Sequence, residues 1–329
     1  MADTNNKVTL PVFITGGCGM VGTHLVDHYH AKGETVLATY YTHPTTRLEE
    51  SIHKAHYVPC DVRDKATIDN LIDEYRPEII FHLAAQSYPT VSWEKPVETF
   101  DINVNGTIHV MEAIKRIRKT TPSYDPIVLI ACSSAEYGSS LLVPENLPAN
   151  EDVPLLPLHP YGVSKVAQDL LGYQYFMNDG IRSIRVRIFN TTGPRKTNDV
   201  VSDFTKRTVL WEKQQIDKIT VGNLHTKRAI TDVRDLINAL LLLAEKGVAG
   251  DVYNVCGSNI YEIQDIVRII EQVIGRSLAT ETDPQLLRPT DEPIIWGDAS
   301  KLVATTGWQQ TYALETTIKD MIDYWRTIL

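Results

Sequence analysis

The sequence predicts an α/β fold in which a doubly wound parallel sheet is followed by a smaller C-terminal α/β lobe. Over about the first 190 residues, short and nearly continuous apolar runs alternate with longer amphipathic runs. The apolar runs are typical of strands covered on both faces, and the amphipathic runs are typical of helices. Regular strand–helix alternation predicts parallel strands joined by helical crossovers. The later chain is less regular, which indicates a separate lobe.

The boundaries of the elements follow from these runs. The predicted strands are 8–15, 35–40, 56–59, 78–83, 127–132, 183–189 and 251–255. The predicted helices are 20–32, 65–75, 97–118, 161–178, 201–214, 232–246, 261–274 and 314–327. We expect residues 1–192 to form the sheet domain, with 232–261 returning to it, and 193–231 and 262–329 to form the lobe. Ligands of such folds bind at the carboxyl edge of the sheet.

Composition narrows the class of partner. The chain has 329 residues, 43% of them hydrophobic, and a formal net charge of -9. Nucleic acids and anionic membranes need a basic surface, so neither is expected as a partner. No apolar run approaches the roughly 18–20 residues of a membrane helix, and the polar N-terminus lacks the apolar core of a signal peptide. We therefore expect a cytoplasmic protein.

The four cysteines predict neither a metal site nor a disulfide framework. Cys18, Cys60, Cys132 and Cys256 stand far apart in the chain. None of them forms the CxxC pair that is typical of zinc sites and redox motifs. We expect reduced, buried thiols and no bound metal.

A glycine-rich turn with GxxGxxG spacing follows the first predicted strand and precedes the first predicted helix. Its first glycine permits a tight turn, the second permits close approach of a pyrophosphate, and the third lets the helix pack on the strand. The N-terminus of the helix supplies amides and a partial positive charge. This context predicts a Rossmann domain that binds NAD or NADP; a glycine turn without a ligand is the alternative. The expected cofactor contacts here are Gly16, Gly19, Met20, Val21 and Gly22.

Two further segments are expected beside the same cofactor. Asp61 and Val62 follow the third predicted strand, where a side chain can reach the adenine amine. A turn or N-cap aspartate is the alternative explanation of Asp61. Leu83, Ala84 and Ala85 end the fourth strand with small residues, which would let a cofactor lie close. Tight packing alone would also explain them.

The end of the second predicted strand bears on the choice of cofactor. An acid at this point usually binds the adenosine ribose of NAD, but residues 38–43 contain neither Asp nor Glu. NADP is therefore slightly favoured over NAD. Arg47 is a candidate ligand of its 2′-phosphate, and an ordinary surface arginine is the alternative.

A tyrosine and a lysine four residues apart predict an acid–base site. Tyr161 and Lys165 share one face of a helix, and a lysine ammonium beside a phenol lowers the phenol's pKa. Such a tyrosine can remove a proton from an alcohol, or return one to a ketone, as hydride moves. Ser133, at the end of the fifth strand, can hydrogen-bond the same substrate oxygen. A surface Tyr–Lys pair is the alternative.

The motifs TGGxGxxG, LAAQ, NVNGT, SSxxYG and PYGVSK occur in this order over essentially the whole chain. In this arrangement the chain resembles the extended short-chain dehydrogenase/reductases that act on nucleotide sugars. The resemblance implies that Ser133, Tyr161 and Lys165 are catalytic. It places Asn103 on the cofactor side and implies that Gln86 and Ser134 contact the substrate.

The later motifs are similar to the GDP-sugar branch of that family, which contains GDP-mannose 4,6-dehydratases and GDP-4-keto-6-deoxymannose reductases. Residues 189–195 resemble the loop that holds the sugar diphosphate, and Asn190 would contact the substrate there. The resemblance implies that three arginines face the diphosphate and that Glu292 holds a ribose hydroxyl. A guanidinium suits a diphosphate because it binds in a bidentate manner, whereas any one arginine alone would be explained by a surface ion pair. The three arginines are Arg195, Arg228 and Arg288.

The residues favour reduction over dehydration. A dehydratase needs a carboxylate aimed at C5 and C6, and in the related dehydratases this Glu stands two residues before the tyrosine of the SSxxYG motif. Here that residue is Ala135. Glu136 is one residue later and is a candidate acid or base only if it turns into the site, because successive side chains of extended chain point to opposite faces. We expect a C4 reductase; a 4,6-dehydratase and a 4-epimerase are the alternatives.

Two further expectations concern assembly and activity. The helices predicted at 97–118 and 161–178 carry more apolar surface than one sheet face needs, and the resembled family pairs them in a homodimer. That both helices simply cover the sheet is the alternative. A non-catalytic, redox-sensing binder on the same fold is disfavoured because the tyrosine and the lysine are both present.

Overall fold

A computed structural model of the chain describes residues 10–41, 48–286 and 292–329. Its centre is a seven-stranded sheet in the order β11-β6-β5-β4-β1-β2-β3, and every neighbouring pair from β3 to β5 is parallel. The strands of this sheet are β1 (Val12–Thr15), β2 (Leu37–Tyr40), β3 (His56–Pro59), β4 (Ile79–His82), β5 (Ile127–Ser133), β6 (Arg182–Ile188) and β11 (Val252–Val255). The predicted α/β class with a doubly wound sheet is confirmed.

Helices connect these strands and continue beyond them. The helices are α1 (Met20–Ala31), α2 (Lys65–Tyr75), α3 (Pro89–Glu94), α4 (Pro96–Phe100), α5 (Gly106–Arg118), α6 (Pro160–Asp179), α7 (Val200–Glu212), α8 (Val233–Lys246), α9 (Ile263–Ile274), α10 (Ser300–Thr306) and α11 (Leu314–Ile328). Among the described helices, none is both long enough and apolar enough to cross a bilayer.

The order of the strands positions the site. Strand β1 lies between β2 and β4, so the chain leaves β1 in one direction along the sheet to form β2 and β3 and later returns to form β4 on the other side. Ligands of open α/β sheets bind at this point of reversal, outside the carboxyl ends of the strands. The segments that follow β1 and β4 therefore lie together there, as the sequence predicts.

Several predicted boundaries differ from the structure. The strand predicted at 8–15 is described only from residue 10 and begins at Val12, and the one predicted at 35–40 begins at Leu37. The single helix predicted at 97–118 is instead α4, a π-helical turn at Asp101–Asn105 and α5. The wider turn accompanies a buried amide, Asn103, whose bonds to another segment are described below. Such turns often mark functional sites.

The chain divides into two compact units. The first comprises the described residues up to Glu136 with Pro157–Arg187 and Leu240–Tyr253, and the rest forms the second. The predicted domain runs from 1 to 192 with 232–261 returning to it; in the structure Tyr137–Leu156 belong to the second unit, the next segment of that unit starts at Ile188, and Leu240–Tyr253 belong to the first unit. The apolar side chains of Tyr137 and Leu141 explain this, because they are buried in a cluster with Phe189 of the same unit.

Small sheets organise the second unit. Strand β7 (Thr191–Thr192) pairs with β10 (Thr231–Asp232), and β8 (Ile219–Val221) pairs with β13 (Thr280–Thr282). Strand β9 (Lys227–Ala229) lies between β12 (Ile260–Glu262) and β14 (Ile294–Ile295). These strands are two or three residues long, which is too short for hydrophobic periodicity to reveal.

Candidate active site

The glycine turn joins β1 to α1 and leaves the helix N-terminus open. Gly16 has φ 69°, and a Cβ there would lie 2.9 Å from the Cα of Ala84. Gly19 is the N-cap of α1 without a side-chain hydrogen bond, and the first turn contains no acidic residue. The first amides of α1, including those at Met20 and Val21, therefore suit an anion such as a pyrophosphate. The turn fits the predicted dinucleotide.

Gly22 provides a direct test of this fit. A Cβ on Gly22 would lie 2.5 Å from the backbone oxygen of Gly16, so Gly22→Ala must displace the turn. We expect the affinity for NADPH, measured by fluorescence titration, to fall at least about tenfold. Gly33→Asn is the matched control, since Gly33 has no atom within 4 Å of its Cβ position and asparagine tolerates a positive φ. Unchanged NADPH affinity in Gly22→Ala would contradict the assignment.

A buried histidine connects the ends of β1 and β4. Thr15 Oγ1 accepts bonds from two backbone amides after β4, so its own proton goes to His82 Nδ1 at 3.0 Å. Thr107 Oγ1 donates to the Asn103 carbonyl and therefore accepts from His82 Nε2 at 3.0 Å. This pattern requires a neutral imidazole with its proton on Nε2. Burial, followed by the charge of Lys165, lowers the pKa of His82 to about 3, which agrees with that requirement.

Asn103 and Gln86 have protein partners in the structure, and their predicted roles toward cofactor and substrate stay predictions. Asn103 is fully buried, and its amide accepts from the Gln86 backbone N at 2.8 Å and donates to the Gln86 carbonyl and to Ser164 Oγ. The Gln86 side chain is itself bonded to Tyr88 and Thr99. Both amides therefore fix the loop after β4. Leu83, Ala84 and Ala85, in the same loop, are half-buried beside the glycine turn.

Asp61 forms a turn beside β3. Its carboxylate accepts from the backbone N of Arg63 at 2.9 Å and also pairs with the Arg63 guanidinium. The hydrogen bonds from Arg63 outweigh the effect of burial and lower the pKa of Asp61. Asp64, not Asp61, caps α2.

Val62 is buried, and its carbonyl is bonded to His109. Contact of Asp61 and Val62 with adenine stays a prediction. Arg47, the candidate 2′-phosphate ligand, lies outside the described residues.

Three predicted catalytic residues meet at the end of β5. The Ser133 side chain lies close enough to the Tyr161 hydroxyl to lower the pKa of that phenol, and Lys165 Nζ lies 5.7 Å from the centroid of the Tyr161 ring. Lys165 Nζ also donates to the Ala131 carbonyl at 2.8 Å. A Cβ on Gly162 would lie 2.7 Å from the Ala135 carbonyl, so this glycine lets α6 approach the turn after β5. The close approach holds the tyrosine against the serine.

The pKa of Tyr161 shifts in the direction opposite to the one that the sequence predicts. The sequence predicts a lowered tyrosine pKa, but burial raises the pKa of Tyr161 to about 12, against the hydrogen bond from Ser133. Burial also lowers the pKa of Lys165 to about 8. Both shifts have one cause, because an environment with little water disfavours phenolate and ammonium alike. The protein alone therefore holds a protonated phenol, which is a proton donor.

The Glu136 side chain points into the protein interior. Its side chain is fully buried, and its Oε1 accepts from the Ser133 backbone N at 2.7 Å. Its Oε2 lies 3.4 Å from Arg187 Nε. A carboxyl group in this place is enclosed by protein, and its role as an acid or base stays a prediction. The residues that surround it, Asp169 and Arg187, were not predicted. Asp169 follows Lys165 by four residues, so helical spacing alone could have indicated it.

The predicted substrate residues fall into two groups. Ser134 is half-buried in the turn after β5, in the first unit. In the second unit, the Arg228 guanidinium donates to the Glu292 carbonyl at 2.9 Å because β9 and β14 are paired. Asn190 precedes β7, and its buried Oδ1 has no hydrogen-bond partner in the part of the chain that the structure describes.

Two predicted arginines complete this set. Arg195 follows β7 with φ 70°, and Arg288 lies outside the described residues. The pairing of β9 with β14 places the Arg228 guanidinium beside the Glu292 backbone carbonyl. Their binding to a diphosphate or a ribose stays a prediction.

Known proteins share this architecture. The family model described as GDP-mannose 4,6 dehydratase matches residues 13–321. The GDP-6-deoxy-D-mannose reductase of Pseudomonas aeruginosa is 27% identical over 322 residues, which cover 97% of this chain and 98% of that protein.

Solved structures show the same fold. RMD from Pseudomonas aeruginosa, complexed with NADPH, is 24% identical with a TM-score of 0.81, and the match covers 98% of this chain and 100% of that one. The UDP-glucose 4-epimerase of Thermus thermophilus, complexed with NAD, is 25% identical with a TM-score of 0.84, covering 97% and 99% of the two chains.

Proposed function

We propose that this chain, which belongs to the GDP-mannose 4,6 dehydratase family, is an NADPH-dependent reductase of GDP-4-keto-6-deoxymannose. The family consists of NAD(P)-dependent enzymes that act on nucleotide sugars. The observation that carries the choice of reaction is the placement of Glu136. This acid, the only one in the segment 133–138, is fully buried against the Ser133 amide. The reductase among the relatives supports the same choice.

The geometry of the site accounts for a reduction at C4. The keto oxygen at C4 would accept hydrogen bonds from the Tyr161 and Ser133 hydroxyls. NADPH, when bound, supplies a hydride to the carbonyl carbon. Tyr161 then gives its proton to the oxygen, and the nearby Lys165 ammonium stabilises the resulting negative charge on the phenol. The raised pKa of Tyr161 keeps the phenol in the protonated form that this direction needs.

The cofactor and substrate assignments rest on separate residues. At the end of β2, Ala38, Thr39, Tyr40 and Tyr41 include no acid to bind a ribose hydroxyl, which supports NADP over NAD. The predicted diphosphate ligands are Arg195, Arg228 and Arg288, with Glu292 on the ribose. We place the reaction in the cytoplasm, because none of the four cysteines forms a disulfide and reducing compartments keep thiols in this state.

Two reactions with product analysis test the proposal. One tube contains GDP-mannose and catalytic NADP, and the other contains GDP-4-keto-6-deoxymannose and stoichiometric NADPH. We expect NADPH oxidation in the second tube only. A keto sugar formed in the first tube without net cofactor change would establish a dehydratase. Inversion at C4 of a nucleotide sugar without net NADPH oxidation would establish a 4-epimerase. Either result would overturn the proposal.

We also propose a homodimer that forms through α6 and the helices beside it. Val163, Leu170 and Met177 are exposed and spaced by seven residues, so they share one face of α6. Trp93 of α3 and Val97 of α4 are exposed as well, at 63% and 74%. Both of these helices pack against α6. An apolar face of this kind is typical of a protein interface.

A charged substitution on this face should separate the subunits. We expect Leu170→Arg to convert a dimer to a monomer in sedimentation velocity, because an arginine in the interface would be buried without a partner. Val303→Arg, at an exposed apolar residue of α10, is the control and should leave the dimer intact. A monomeric parent protein would contradict the proposal.

A further inference from the structure

A cluster of buried charges lies behind the three catalytic residues. The Asp169 carboxylate is bonded on one oxygen to Arg185 at 2.8 Å and on the other to Arg187 at 2.9 Å. Glu136 lies beside this pair, and its nearest carboxylate oxygen is within 4.8 Å of one on Asp169 and of Cys132 Sγ. Glu136 and Asp169 are fully buried. Two carboxyl groups therefore share one enclosed site.

Glu136 connects this cluster to Ser133. One oxygen of Glu136 accepts the Ser133 amide, and the other, which is buried 3.4 Å from Arg187 Nε, has no hydrogen-bond partner among the described residues. The serine hydroxyl accepts the Ala135 amide at 3.2 Å and lies beside Tyr161, whose pKa it lowers. The position of the catalytic hydroxyl thus depends on the carboxyl group behind it.

We propose that Glu136 is a positioning residue that holds Ser133 in place through its amide and, by releasing its own proton as the pH rises, preserves the positive charge of Lys165. The proposal rests on the proposed function for its activity measurements, since these need the keto sugar. Glu136 acts here through Ser133 and Lys165 and does not touch the substrate.

The charged groups around Glu136 determine how its ionisation changes the pKa of Lys165. Burial, and then Asp169 of α6, raise the pKa of Glu136 to about 8, while Arg187 of β6, the Ser133 amide of β5 and Lys165 of α6 oppose the rise. Burial lowers the pKa of Lys165, and Cys132 and Glu136 oppose this and raise it. An ionised Glu136 therefore keeps the lysine charged to higher pH.

A metal ion is not needed to explain the cluster. Cys132, Glu136 and Asp169 offer ligand atoms at suitable spacing. Both oxygens of Asp169 are already bonded to guanidinium groups, however, and burial raises the pKa of the Cys132 thiol well above its usual range. A protonated thiol and an arginine-bound carboxylate are poor ligands.

Two variants of Glu136 separate its two roles. Glu136→Leu removes the acceptor, and we expect kcat for the keto sugar to fall at least about tenfold with a change in KM of less than about threefold. Glu136→Gln keeps an acceptor for the Ser133 amide but cannot carry charge. We expect its activity to fall off at a pH about one unit lower than in the parent, because Lys165 loses its proton sooner.

A purely structural role would not move the pH profile, so an unshifted profile in Glu136→Gln would overturn the proposal even if Glu136→Leu failed to fold. Asp235→Asn is the matched control. Asp235 is equally buried but lies in the second unit, bonded to Thr311 and Tyr312. It should change stability and leave the profile in place.

Infrared difference spectroscopy tests the same residue without substrate. We expect the band of a buried carboxylic acid in the parent at pH 6, its loss as the pH passes about 8, and its absence in Glu136→Gln. A parent spectrum without that band would refute the proton release. The band persists whatever sugar the protein reduces, so this result distinguishes a failure of the inference from a failure of the proposed function.

Discussion

Replacing Tyr161 by phenylalanine is expected to lower kcat for reduction of the keto sugar by about a thousandfold. The substitution removes one hydroxyl from a buried ring, and that hydroxyl lies beside the Ser133 side chain. Without it, the proposed reduction loses the group that gives its proton to the oxygen at C4. The packing of the ring and the glycine turn are unchanged, so NADPH affinity should stay within about twofold. Stopped-flow absorbance of NADPH measures both quantities.

The matched control is Tyr173→Phe on the same helix. Tyr173 is 45% exposed and lies about three turns of α6 away from Tyr161. We expect kcat within about twofold of the parent. A Tyr161→Phe protein that retained a tenth of the parent's kcat would show that another group supplies the proton, and the catalytic assignment would be wrong.

Removal of the Asp169 carboxylate is expected to destabilise the fold more than any surface change. Asp169→Ala leaves the buried Arg185 guanidinium without its ion-pair partner and leaves Arg187 with the more distant Glu136 carboxyl, which costs about 3–5 kcal/mol in the free energy of unfolding. Urea denaturation followed by circular dichroism measures this loss. We expect a lower midpoint with a similar slope, because the surface exposed on unfolding is nearly the same.

An exposed ion pair provides the comparison. Glu212 pairs with Arg326 across α7 and α11, where both side chains are solvent-accessible. Breaking it with Glu212→Ala should cost less than about 1 kcal/mol. If the two variants lost similar amounts of stability, the arginines of β6 would be compensated by some other group, and the account of the buried cluster would fail.

Local patterns predicted the parts of the site that depend on neighbours in sequence. Tyr161 and Lys165 share a helical face because of their spacing, and the glycine turn is recognisable by its position between a strand and a helix. Ser133 follows from its place at the end of a strand. These inferences needed no knowledge of distant contacts, and the structure brings all three side chains together.

Long-range packing decided what the sequence did not reveal. The orientation of Glu136 depends on Asp169 and Arg187, which lie on two other elements. The pKa of Tyr161 depends on how completely the ring is buried, and no spacing rule reports that. The π-helical turn at Asp101–Asn105 accompanies the bonds of Asn103 to Gln86, a residue of another loop. Hydrophobic periodicity along the sequence gives no information about such long-range contacts.

The route of the chain between its two units has a consequence for modular evolution. The chain changes unit after residues 136, 156, 187, 239 and 253, so neither unit corresponds to one uninterrupted stretch of the gene. A single recombination event cannot exchange the second unit for another, and no simple truncation yields either unit alone. New specificity in such a protein must arise by substitutions and loop changes within the existing fold. Ser133 and Tyr161 both belong to the first unit, and the segment Tyr137–Leu156 between them belongs to the second.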